Sequence, residues 1–244
     1  MSAKIIAVFN QKGGPGKTTV SIHIAGSAGL RGLRVLLVDM DRQATASKWV
    51  SMADENNPFP GSTINLAAME GKMHKELRNH VEDYDLIVID CPPAMHSAAP
   101  SSAMLIADLA LIPSQPSPPD IWAAQEPKIL VEQAKTTNES LIVRQVINLV
   151  EGRSLIEQTM IEAMREDEDI PFLKSVIKRR SAYRECALNG LTVHGLRAKP
   201  AIEEIETFVD EVFALIGIKK SLPKTKIKKS LAKTKPRNVE VTHV

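Results

Sequence analysis

Apolar residues fall in short unbroken runs separated by stretches of helical periodicity, and that alternation predicts parallel strands covered by helices on both faces. Ile5-Ile6-Ala7-Val8-Phe9 is the first run. Further runs cover residues 34–39 and 84–90, ending in Asp39 and Asp90, then 108–113, 141–149 and 171–177; a short strand is expected at 64–66. Helical patterns open at Lys17 and near Ala44, then at 71–81, from Ile121, over 154–168, and at 182–187 before an Asn189-Gly190 stop. The last helix is expected over 200–216, with Pro200 near its first turn and Gly217 past its end. Residues 54–61, with Asn-Asn-Pro-Phe-Pro-Gly, read as a loop. Strand and helix in alternation define an α/β fold, a doubly wound, mostly parallel sheet of about seven strands.

Candidate chemistry starts where the first strand gives way to the first helix. There the chain reads Asn10-Gln11-Lys12-Gly13-Gly14-Pro15-Gly16-Lys17-Thr18-Thr19. A strand, a glycine loop and a helix in this order form a phosphate cradle, because Gly13, Gly14 and Gly16 let backbone N–H groups approach the oxygens with no Cβ in the way. Lys17 is placed to reach β- and γ-phosphate oxygens, the Thr18 hydroxyl to complete a magnesium shell, and Thr19 to bond an α-phosphate oxygen.

The carboxylates come next. Asp39 and Asp41, in Asp-Met-Asp-Arg-Gln, stand at the carboxyl end of a buried strand, where nucleotides bind in doubly wound sheets. Capping of the helix near Ala44 is the plainer reading of the same pair. Asp90 ends a strand of four consecutive apolar residues and is placed to hold a magnesium-bound water. Pro113, Pro116, Pro118 and Pro119 are expected to fix an extended segment up to Asp120, and Asn148, at a strand end, offers both a donor and an acceptor.

The two-lysine loop, with Gln11 where a first glycine would stand, resembles the deviant Walker A motif of the ParA/MinD ATPases. The later motifs extend the resemblance over about residues 4–216 and bring it nearest the small, ParF-like ParA partition proteins. The resemblance implies a P-loop NTPase that uses ATP and magnesium, with Lys12 crossing a dimer interface to the partner's nucleotide. It implies that Asp41 orients the attacking water and that Asp39 supports the magnesium shell. Arg42 stands where the family has a proline, and Cys91-Pro92-Pro93 occupies the place of its Asp-x-Pro-Pro switch. The segment of Pro118 and Asp120 would border adenine, or else be a rigid turn. Asn148 would meet the adenine edge, and Arg179 and Arg180 would touch DNA phosphates unless they are a solvated edge. The implied function is plasmid or chromosome partition. An ATP-dependent sandwich dimer would bind nonspecific DNA, and a centromere-binding ParB/ParG-like partner would release it by stimulating hydrolysis. A MinD-like membrane-positioning ATPase and a nucleotide-switched DNA binder that never hydrolyses are the alternatives.

Composition adds constraints. The 244 residues suffice for one substantial core. Cys91 and Cys186, far apart and without histidine at ligand spacing, read as reduced thiols, and with no apolar run able to span a bilayer and no leader pattern the expected location is cytoplasmic. The formal charge of +2 hides an asymmetry: residues 219–244 hold nine basic residues against Glu240, a balance of +8 that leaves −6 for residues 1–218. In this tail Lys219-Lys220-Ser221-Leu222 recurs nine residues on as Lys228-Lys229-Ser230-Leu231. A domain over 1–218 and a disordered basic tail are expected, the lysines neutralising nucleic-acid phosphates, an anionic membrane, or serving solubility alone. Pro223 and Pro236 make a membrane helix the weaker reading.

Overall fold

A computed structural model describes residues 2–93, 97–123, 125–152, 154–166 and 169–219. The strands are β1 (Lys4–Val8), β2 (Val35–Asp39), β3 (Ser62–Asn65), β4 (Leu86–Asp90), β5 (Leu109–Ser114), β6 (Ile142–Val150) and β7 (Phe172–Lys178). They form one sheet of order β3-β2-β4-β1-β5-β6-β7, every neighbouring pair parallel. The inner strands are apolar on both faces because both faces are covered. Ile6, Val8, Leu37 and Val88 point into one core, while Ile5, Ala7, Leu36 and Ile89 point into the other.

The first core is roofed by α1 (Lys17–Leu30), α2 (Thr45–Ser51), α8 (Ser181–Asn189), α9 (Val193–Leu196) and α10 (Lys199–Leu215). The second lies under α3 (Met73–Leu77), α4 (Ala99–Met104) and α6 (Gln125–Lys135), and α7 (Leu155–Arg165) closes a smaller cluster beside it. A five-residue helix, α5 (Pro118–Trp122), follows β5. The chain leaves β1 toward one edge of the sheet and leaves β4 toward the other, so the loops after these adjacent strands part and open a crevice at their carboxyl ends.

Two expectations are corrected. The helix expected at 71–81 is a 3₁₀ segment, Ala67–Lys72, running into the short α3, because Glu70 takes φ +40 and breaks the helical path. The proline segment is not extended to Asp120: α5 starts at Pro118, whose fixed φ suits a first turn that needs no N–H from it. Lys219 follows α10 and is exposed, whereas Lys220, Lys228, Lys229 and the rest of the tail lie outside the described residues. Among the described residues no helix is long and apolar enough to cross a membrane.

Candidate functional site

The loop between β1 and α1 is fastened from below and open above. Asn10, buried, donates Nδ2–H to Pro113 O (2.7 Å) and accepts from Lys12 N through Oδ1 (3.0 Å), which ties the loop's first turn to β5. Gly14 and Gly16 take φ +92 and +90, the left-handed region where a side chain is strained. A Cβ on Gly16 would stand 2.2 Å from Asn148 Nδ2, so that floor is filled. A Cβ on Gly13 or Gly14 would meet nothing within 4 Å, and both residues are exposed. The crest of the loop is therefore a free surface of backbone.

Below the crest, α1 delivers two hydroxyls to one carboxylate. Thr18 Oγ1 donates to Asp90 Oδ2 (2.8 Å), and the Ser21 hydroxyl lies 3.0 Å from Asp90 Oδ1 and from Lys17 O. Burial pushes Asp90 up to about 7, against the lowering pull of these hydroxyls, and the neighbouring Asp39 adds to the rise. Lys17 is buried, its Nζ donating to Lys12 O (2.9 Å); burial lowers its pKa, and Asp90 is the largest influence opposing that. Cys91 is buried and pushed well up, which keeps it a packed thiol.

Asp39 stands beside Asp90 in the β2–β4 register. Its Oδ2 accepts from Ser47 N and Oγ, both at 2.8 Å, and its Oδ1 from Asp41 N at 3.0 Å. It thus caps α2 from within the crevice, while Asp41 Oδ1 accepts from Gln43 N (2.8 Å) in a local turn. Arg42 pairs with Glu70 on the 3₁₀ segment.

Lys12 and Asp120, 108 residues apart, meet at 2.7 Å, and Ser117 Oγ donates to the same carboxylate at 2.5 Å. Asp120 is buried at 3 % side-chain exposure against 38 % for Lys12, so in this chain it is the lysine's counter-ion. Pro118 is exposed at the start of α5. Asn148 is buried, its Nδ2 donating to Pro15 O (2.6 Å) and its Oδ1 accepting from Leu149 N, so both ends of the amide are engaged beneath the loop. Leu149 has φ +60, in the irregular end of β6. Arg179 pairs with Glu151 (3.1 Å) and Arg180 with Glu204 (2.9 Å), so each carries a local counter-charge.

Sequence reading missed Ser21, Ser47 and Gln115, whose Nε2–H donates to Gly14 O (3.2 Å). Ser21 could have been found, since it lies one helical turn after Lys17 on the face that carries the lysine inward. Nothing in the order of residues marks the other two.

A parallel sheet with a glycine loop and buried acid at its crevice defines a P-loop nucleotide-binding fold. The chain belongs to the CobQ/CobB/MinD/ParA nucleotide binding domain family, whose model matches residues 6–193. It is 33% identical over 209 residues to Maintenance of carboxysome distribution protein A of Halothiobacillus neapolitanus, covering 85% of this chain and 95% of that one. It is 25% identical to the chromosome-partitioning ATPase Soj of Thermus thermophilus, covering 86% of this chain and 96% of that protein. Among solved structures, an ATP complex of a Cyanothece McdA variant aligns with a TM-score of 0.72 at 16% identity, covering 91% of this chain and 99% of that one. The septum site-determining protein MinD of Pyrococcus horikoshii, complexed with Mg-ADP, aligns at 0.69 with 24% identity, covering 92% and 100%.

Proposed function

We propose that this chain is a magnesium-dependent ATPase that places an intracellular cargo by cycling between an ATP-held dimer on nonspecific DNA and a released form, with a partner protein stimulating hydrolysis. The observation that carries the reading is the loop itself. Its bare crest offers backbone donors, Lys17 and Thr18 sit at its inner end, and a second lysine is held at its rim. The donor set fits magnesium-ATP: among the described residues no group of three acids, histidines or cysteines could hold a metal alone, so a cation at Thr18 would need phosphate oxygens to complete its shell. When bound, magnesium-ATP would supply the transferable γ-phosphoryl group and a cation to offset the charge that develops on it, with Thr18 and Asp90 the residues that would hold the cation.

The chain's own residues then have distinct tasks. Lys17 neutralises phosphate charge from within the loop, and Thr18 and Asp90 orient the cation's shell. Asp39 supports that shell from the next strand. Asp41, in the flanking turn, orients the attacking water. Lys12 has to leave Asp120 to reach a second subunit's nucleotide, so dimerisation exchanges one ion pair for another. Asn148 acts from below by holding Pro15, and any adenine contact by its amide requires that bond to open.

Sequence reading named a plasmid or chromosome as cargo. The 33% identity to a carboxysome distribution protein, against 25% to Soj, favours a protein assembly carried over DNA as the second reading. Sedimentation with ADP, with ATP, and with ATP plus duplex DNA tests the common core: ATP alone should double the mass, and DNA should co-sediment only with ATP. A chain that stays monomeric with ATP bound rules the cycle out.

A further inference from the structure

The short helix α2 is fastened at both ends to parts of the molecule that the sequence keeps far apart. At its amino end Asp39 holds Ser47 by N–H and hydroxyl, both at 2.8 Å. At its carboxyl end Trp49 Nε1–H donates to Leu191 O (2.9 Å), in the corner between α8 and α9. Gly190, at φ +66, presses on the same end so closely that a Cβ there would stand 2.1 Å from Ala53 N. Trp49 also lies edge-on to His23, with ring centroids 5.9 Å apart, and His23 edge-on to Tyr183 at 5.1 Å.

His23 brings the phosphate loop's own helix into this junction. It is fully buried on α1 and its Nδ1 is 2.8 Å from Thr19 O; the carbonyl accepts, so Nδ1 carries the proton. Tyr183 passes the contact on: its hydroxyl donates to Glu204 (2.7 Å), which also holds Arg180 and accepts from Lys178 N (3.1 Å). Every link is a packed ring or a hydrogen bond, so a small displacement at one end has no slack to vanish into.

The link has a contested group and a strained joint. Asp39 stands beside Asp90, which is bonded to Thr18, so a charge drawn to Thr18 competes with Ser47 for the Asp39 carboxylate. Ala44, just before α2, is held at φ +54, a strained setting for a residue with a Cβ and a natural place for the helix to pivot.

We propose that α2 and the His23–Trp49–Tyr183 ring junction carry occupancy of the phosphate loop to the α8–α9 corner, with Trp49 as the coupling residue. The proposal rests on the nucleotide reading above and adds a route by which that site controls the hold of Glu204 on Arg180.

Hydrogen–deuterium exchange on the full chain, with and without magnesium and a slowly hydrolysed ATP analogue, tests it. In the unaltered chain the analogue should change exchange both at residues 11–19 and at residues 189–197. Trp49→Phe keeps a ring but lacks the indole N–H; it should retain the change at 11–19 and lose it at 189–197. A general loosening of the fold would instead raise exchange in both segments, with and without the analogue. Ser47→Ala, a milder change at the other end of α2, should diminish the corner response in the same way. A corner that ignores the analogue in the unaltered chain while the loop responds overturns the coupling and leaves the nucleotide reading standing. So does a corner response left whole in both variants. If residues 11–19 themselves do not respond, the nucleotide reading fails first.

Discussion

Lys12 and Lys17 belong to one loop and do different work because one is rim and the other floor. Lys17 is buried with its ammonium against the loop's own carbonyl, so Lys17→Ala should abolish tight nucleotide binding. Lys12 is half exposed and paired with Asp120, so Lys12→Ala should bind a fluorescent ATP analogue almost normally yet fail to dimerise in sedimentation. Equal loss of affinity in the two variants would count against the division of labour. The turn that holds Asp41 is braced by the Arg42–Glu70 pair, both partners exposed, and such a pair contributes at most about 1 kcal/mol. Phosphate release by Glu70→Gln should therefore change by at most about fivefold, whereas Asp41→Ala should stop turnover and trap the dimer. Two buried groups titrate with opposite sign. Asp90, raised from 3.8 to about 7, favours the folded chain at low pH, an effect lost as pH rises toward 7; His23, lowered from 6.5 to about 4, favours it above 6.5, an effect lost as pH falls through 4. Because the two effects oppose each other over nearly the same range, thermal unfolding between about pH 4 and 7 should show Asp90→Asn leaving a stability that rises with pH and His23→Gln one that falls with pH, and variants that keep the parent's profile would assign the dependence elsewhere.

Among the elements, α1 and the loop before it show how one kind of substitution, glycine to alanine, separates packing from function. Gly29 lies where a Cβ would stand 1.6 Å from Pro60 O, against backbone that cannot rotate away, so Gly29→Ala should destabilise by on the order of 3 kcal/mol in urea unfolding. Gly13→Ala, with open space around it, should stay within about 0.5 kcal/mol of the parent and lose nucleotide affinity instead. The elements themselves were largely legible in the sequence. The buried strands announce themselves as apolar runs ended by Asp39 and Asp90, and α10 by its proline and glycine ends. What hides is whatever depends on distant partners. The fold brings Asp120 to Lys12 across 108 positions and Asn148 beneath Pro15 across 133, and neither pairing leaves a periodic trace. Of the helix expected over 71–81 only Met73–Leu77 is α-helical, and the 3₁₀ turn that leads into it depends on a positive φ at Glu70 that no propensity of glutamate foretells.

At the scale of the whole molecule, the ends of α10 decide where the basic tail departs. Glu204 meets Lys178 at the carboxyl end of β7, while Glu211 meets Lys174 and Ser175 nearer its start, so α10 runs antiparallel to the strand. Ile218, whose N–H bonds Phe213 O just past the helix, therefore leaves at the amino ends of the strands, opposite the phosphate loop. In a sandwich dimer closed over the loops, the two Ile218 residues would stand at opposite poles, away from the nucleotides. Truncation after Ile218 should thus leave ATP-dependent dimerisation and basal hydrolysis intact while weakening binding to duplex DNA. Because each phosphate contact adds about −0.9 to the slope of log affinity against log salt, losing roughly five contacts would flatten that slope by more than four. An unchanged slope in the truncated chain, measured by DNA binding over a salt series, would assign the lysines of residues 219–244 to solubility and place any DNA contact on the folded body. There Arg179 and Arg180 would first have to part from Glu151 and Glu204.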